Sequence, residues 1–173
     1  MHTKVMHAVL LKNGFIKVEL GELSEAELID ILMHKNLVLN ANDYDEEIVK
    51  DTIKNVSQLA YIQAKNGEQG CNRYIISNSE DVFSILYVYA LFRWCGWADK
   101  EITFDIVPLF ETMKGMDNAE PTMQQLFNLP EYRTHLENRN NKQTIMLGFS
   151  DGTKDGGYLK ANWSIFKTKE DLS

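Results

Sequence analysis

Three charged residues stand where chemistry could be done: Glu111 in VPLFET, and Asp151 and Lys154 in GFSDGTKDGG (Gly148–Gly157). Glu111 directly follows VPLF, and Asp151 directly follows IMLGFS. Both preceding runs read as β-strands, and in parallel α/β folds ligands bind at the carboxyl ends of the strands. Two carboxylates converging there suit a hard divalent cation, Mg²⁺ or Mn²⁺, which prefers oxygen ligands and keeps water or substrate oxygens in its other positions. Lys154 would then bring a positive charge to an anionic substrate or a developing enolate. The plainer alternative is that carboxylates after strands are helix N-caps or solvated loop groups, and Asp155 is read as the cap of the helix that follows. The four glycines of the stretch read as a flexible turn. GFSDGTK lacks the GxxxxGK[ST] frame, which excludes a nucleotide-binding P-loop.

The elements that must position these groups change rhythm along the chain. The first part is helical: Ser24 and Glu27 form a capping box before AELIDILMH, and Asp45 leads into EEIVKDTIKNVSQLAYIQAK, apolar at helical spacing. NGEQG then breaks the chain. From Arg73 the order is strand, helix, strand, helix: RYIIS, with Asn78 and Ser79 as caps and rim groups; DVFSILYVYALFRWCG, a helix apolar on most of its circumference; ITFDIVPLF, with Pro108 at a strand end or edge; a helix capped by Asp117 that stops before Pro130; QTIMLGF; and YLKANWSIFKTKE. The expected fold is therefore α/β, a partial (β/α) barrel with about three parallel strands and crossover helices (residues 71–173), preceded by a helical region (residues 1–70). Three parallel strands do not close a barrel, and the last helical pattern runs into KEDLS without a stop signal, so the chain reads as part of a larger α/β protein.

Composition narrows the classes. With 173 residues, 44% hydrophobic and 25% charged, the chain can bury a core, while a net charge of −7 argues against nucleic-acid and membrane-surface partners. The start MHTKVMHAVLLKNGF has no leader pattern and no run reaches membrane-span length, which predicts a cytoplasmic protein. Cys71 and Cys95 lack metal spacing and read as reduced, buried thiols. His2, His7, His34 and His135 are scattered, with no catalytic relation to a nucleophile. Trp94, Trp97 and Trp163 read as core or interface residues.

VPLFET followed by MLGFSDGTKDGG and ANW resembles phosphoenolpyruvate carboxylase. YIISNSEDVFSILYVYAL, DNAEPTMQQLFNLPEYR and, more weakly, LSEAELIDIL extend the resemblance over about residues 20–173. The resemblance implies a segment of a barrel enzyme, a carbon–carbon lyase of carbon fixation and the tricarboxylic acid cycle. That family carboxylates phosphoenolpyruvate with bicarbonate to oxaloacetate and phosphate, using Mg²⁺ or Mn²⁺. It also implies that Glu111 and Asp151 are metal ligands and that Lys154 holds the anionic reactants. The family's TAHPT histidine motif and arginine-bearing GRGG loop are absent from these 173 residues, and Arg73, Arg93, Arg133 and Arg139 lie in no such loop. The expectation is a chain inactive alone. A stand-alone metal- or ligand-binding module, one chain of a split enzyme, and a structural fragment with capping carboxylates remain the alternatives. The unpaired outer strands of a partial barrel predict self-association.

Overall fold

The computed structural model describes residues 2–97 and 101–173. Two compact units emerge, Met1–Asn72 with Leu86–Ile102, and Arg73–Ile85 with Thr103–Ser173.

The first unit is helical. It contains α1 (His2–Lys12), α2 (Glu25–His34), α3 (Glu47–Asn66) and the later turns of α4 (Val82–Trp94). The capping box opens α2 as expected: Ser24 Oγ accepts the Glu27 N–H, and Glu27 Oε2 accepts the Ser24 N–H at 3.0 Å. Along α3 the buried residues Val49, Thr52, Ile53 and Val56 fall on one stripe. The later turns of α4 have no such stripe, since Leu86, Val88, Tyr89, Leu91 and Phe92 are all buried. Its polar groups are matched: Arg93 Nη1 donates to the Leu32 and Met33 carbonyls at the end of α2, and Trp94 Nε1 donates to Lys35 O at 3.0 Å. Trp94 and Trp97 are core residues. The helical region begins with α1, on which Val5, Met6, Val9 and Leu10 line one buried face.

The second unit is built on three parallel strands in the order β1-β2-β3: β1 (Arg73–Ile76), β2 (Asp105–Phe110) and β3 (Met146–Leu147). β1 pairs from Arg73↔Asp105 to Ile76↔Pro108, and β3 pairs at Leu109↔Met146 and Phe110↔Leu147. The α/β class, with parallel strands and crossover helices, is as expected, and the open sheet is that of a partial barrel. Pro108 does not mark a strand end or an edge strand. It lies inside the central strand, as its last residue paired to β1 before pairing to β3 begins, so the missing N–H falls at a changeover of partners.

The helices of this unit depart more from the pattern. Asp117 ends α5 (Met113–Asp117) instead of capping the next helix, and Asn118 precedes α6 (Ala119–Phe127). The cap of α5 is Thr112, whose Oγ1 accepts the Gly115 N–H at 2.9 Å. Pro130 does not only stop a helix; it starts α7 (Pro130–Asn138) at the position where a missing N–H costs nothing. Asp81, not Asn78 or Ser79, accepts the Ser84 N–H at 3.0 Å at the start of α4. The largest correction is α8 (Phe149–Gly156), a helix where the glycine-rich stretch predicts a flexible turn; α9 (Tyr158–Asp171) follows.

Cys71 and Cys95 are free thiols, each half-buried and not fully buried; burial pushes the Cys95 thiol up to about 11. Trp163 is 65% exposed, which removes it from the core. No helix among the described residues is long and apolar enough to cross a membrane.

Candidate metal and anion site

The exits of the three strands meet at one end of the sheet. Ser79 N–H donates to Leu109 O at 3.1 Å and Gly148 N–H to Phe110 O at 2.8 Å, extending the ladder past both edge strands. This brings Asn78, Glu111 and Gly148 side by side. Asn78 turns the chain with φ 58° and aims its own N–H at Glu111 Oε1, 2.8 Å away. The rim group it supplies is thus a backbone amide. Ser79, expected on the same rim, is turned inward, and its Oγ donates to Ile76 O at 3.1 Å. Gly148 lies so close to Glu111 that a Cβ there would fall 2.4 Å from Glu111 Cβ. Any other residue would force the two strand exits apart.

Asp151 and Lys154 stand on α8. A helix of eight residues with Gly152 and Gly156 inside it has little propensity to form on its own, each glycine costing about 1 kcal/mol relative to alanine. Packing against α5 explains it. A Cβ on Gly156 would lie 2.7 Å from Met113 Sδ, and one on Gly152 would lie 3.2 Å from Met116 Cε. The glycines therefore provide close approach between helices in place of flexibility. Asp155, predicted to cap α9, instead accepts the Met113 N–H at 2.9 Å, satisfying the first turn of α5.

On this frame the sequence-predicted residues come together. Lys154 Nζ meets Asp151 Oδ1 at 2.8 Å, with both side chains largely in solvent. The Lys154 hydrogen bond and charge come first, and the neighbouring Glu111 carboxyl is a lesser cause, in holding Asp151 below the usual carboxylate range. Lys154 is correspondingly held above the ordinary ammonium value, by Asp151 first and Glu111 last. Two carboxylates in mutual reach with one ammonium leave one excess negative charge, which attracts a cation and, with a divalent ion bound, becomes one excess positive charge facing an anion. Among the described residues no three His, Cys, Asp or Glu side chains gather into a metal cage. Glu111 and Asp151 offer two carboxylates, the kind of donor set that suits an Mg²⁺ ion retaining several waters.

One group beside the rim carries no sequence signal. Glu80 takes Lys114 Nζ at 2.7 Å on Oε2 and the Thr112 hydroxyl at 3.3 Å on Oε1, tying the segment after β1 to the segment after β2. Its partners are more than thirty residues away along the chain, and nothing in its own neighbourhood announces them. Of the histidines, His135 is buried against Tyr132 on α7, away from these residues in sequence and element.

A sequence model of the phosphoenolpyruvate carboxylase family matches residues 1–173. The phosphoenolpyruvate carboxylases of Nitrosomonas europaea and Nitrosomonas eutropha are 31% and 32% identical to this chain over 182 residues, covering 100% of it and 19% of each relative. That of Thermosynechococcus vestitus is 33% identical over 184 residues, covering 99% of this chain and 18% of the relative. The chain spans about a fifth of the length of these curated relatives.

Proposed function

Because this chain belongs to the phosphoenolpyruvate carboxylase family, we propose that it contributes the divalent-metal part of a site that carboxylates phosphoenolpyruvate with bicarbonate, giving oxaloacetate and phosphate. The observation that carries this reading is the approach of Asp151, on α8, to Glu111 at the exit of β2, with Lys154 on Asp151. Mg²⁺ or Mn²⁺, when bound, supplies electrostatic stabilisation to negative charge on substrate oxygens. Glu111 is oriented for this by the Asn78 N–H, and Asp151 by its place on α8. Lys154 lowers the cost of bringing a multiply charged anion to a rim that is otherwise acidic. A cytoplasmic setting with small soluble anions belongs to the same reading.

The reading also assigns this chain no turnover of its own. Phosphate recognition calls for bidentate arginines, and the four arginines present stand outside any GRGG loop. The test is a Mn²⁺ titration followed by electron paramagnetic resonance. One specific ion is expected per chain, lost in Asp151→Ala and in Glu111→Ala, with no oxaloacetate formed by the chain alone. Binding that survives both substitutions would refute the assignment.

Self-association is part of the proposal. β1 and β3 both leave an edge unpaired within the described sheet, and Leu159, Trp163 and Phe166 are exposed on α9. Sedimentation is expected to show a concentration-dependent increase in mass, and a clean monomer at high concentration would contradict it.

A further inference from the structure

We propose that Asp155 is a positioning residue for this site: by accepting the Met113 N–H it fixes the rotation of α8 and thereby holds Asp151 opposite Glu111. The inference rests on the metal reading above for its consequence, but its geometry stands apart from it. Met113 is two residues beyond Glu111, so the acceptor on α8 is tied to the segment that leaves β2. Asp155 and Asp151 are four residues apart on one helix and therefore project from nearly the same face, one turn apart. Pinning the first fixes the direction of the second. The neighbouring face, Gly152 and Gly156, lies against Met116 and Met113 with no room for a Cβ at Gly156, so α8 sits close against α5 without side chains that fix its rotation.

A helix held this way is sensitive to one hydrogen bond. Gly152 and Gly156 bring no side chains that could interlock with α5, and the methionines opposite are flexible enough to accept a rotated helix. The Asp155 carboxylate supplies the directional contact that glycine packing lacks. Its removal leaves an unmatched N–H at the start of α5 and lets α8 turn, carrying Asp151 and Lys154 away from Glu111 together.

The experiment uses the full chain with Asp155→Ala and Asp155→Asn, the second keeping an oxygen acceptor but no charge. In the metal-free protein, nuclear Overhauser contacts from the Met113 and Met116 methyl groups to the Gly152 and Gly156 α-protons are read first. They are expected to weaken at least threefold in Asp155→Ala and to persist in Asp155→Asn, with contacts inside the first unit unchanged. Mn²⁺ affinity is read second, with an expected loss of tenfold or more in Asp155→Ala and less than threefold in Asp155→Asn. Persistent contacts in Asp155→Ala overturn the proposal, as does global unfolding of that variant, which would make the role one of general stability. Equal defects in both variants also overturn it, because the charge and not the acceptor would then matter. If Asp151→Ala leaves Mn²⁺ binding intact while the contacts vanish in Asp155→Ala, the metal reading fails and the positioning role stands. If Asp151→Ala abolishes binding while Asp155→Ala binds as the parent does, the positioning role fails and the metal reading stands.

Discussion

At its first residue β2 presents Asp105, whose Oδ1 receives Arg139 Nε at 2.6 Å with only 19% and 13% of the two side chains exposed; Arg73 stands 4.0 Å from the other oxygen. Past its last residue the same strand presents Glu111, beside which Asp151 holds Lys154 at 2.8 Å with 55% and 77% of those side chains exposed. Both pairs join an aspartate to a cationic side chain at nearly the same length, and solvent separates their uses. A pair shielded from water fastens the fold, because removing one partner leaves a charge with neither water nor counter-ion. A pair in water contributes little to stability and can be redirected toward a ligand. The carboxyl end of the strand is thus the end with groups to lend, in keeping with where parallel sheets bind ligands.

The sharpest way to break this contrast is Arg139→Ala. It is expected to cost about 3 kcal/mol by removing the close partner of the shielded Asp105 carboxylate, which Arg73 at 4.0 Å does not replace, measured by urea unfolding, with Mn²⁺ affinity unchanged within twofold. A cost below about 1 kcal/mol would make the two ends of β2 equivalent.

A smaller effect is expected from His135, on α7, the helix that Arg139 follows. Burial first, and the Arg139 charge second, lower it from 6.5 to about 4. Between those values the unfolded chain takes up a proton that the folded one refuses. The contribution of neutral His135 is therefore complete above pH 6.5 and falls by about 2 kcal/mol as pH drops toward 4. His135→Gln is expected to flatten that slope in urea midpoints taken between pH 4.5 and 7.5. An unchanged slope would remove His135 from the shielded end.

The smallest stability effect belongs to the exposed end. Asp151→Ala is expected to leave the urea midpoint at neutral pH unchanged while abolishing Mn²⁺ binding. Because Asp151 titrates below and Lys154 above the ordinary ranges, their pairing is lost only as pH falls through the lowered carboxylate value or rises through the raised ammonium value. A pH-dependent loss of the pair near neutrality, followed by the Lys154 side-chain resonances, would contradict this.

These residues also show how much was legible beforehand. The place of Glu111 was readable because a charge directly after a β-rich run is set by the strand and parallel strands align their exits, whereas Asp151 and Lys154 reach it only through α8. Asp155 was misassigned because a cap preference is local, whereas its actual partner, the Met113 N–H, lies 42 residues earlier. The glycines of α8 were misread for a similar reason: in sequence glycine signals freedom, and only the facing Met113 and Met116 reveal that it was needed for contact. Glu80 and its ties to Thr112 and Lys114 left no trace in spacing.

Features that depend on interactions within a few residues are legible in the chain alone: the capping box at Ser24 and Glu27, the buried character of α4, and the alternation of strand and helix that dictates parallel pairing. Tertiary structure alone decided that Phe149–Gly156 is a helix, that Asp105 and Asp151 meet different solvent, and that Asp155 faces α5. The physical reason is range. Hydrogen bonds and periodicity along one turn are written in adjacent letters, while burial, close packing and the counter-ion of a charge are fixed only when distant parts of the chain return to the same place.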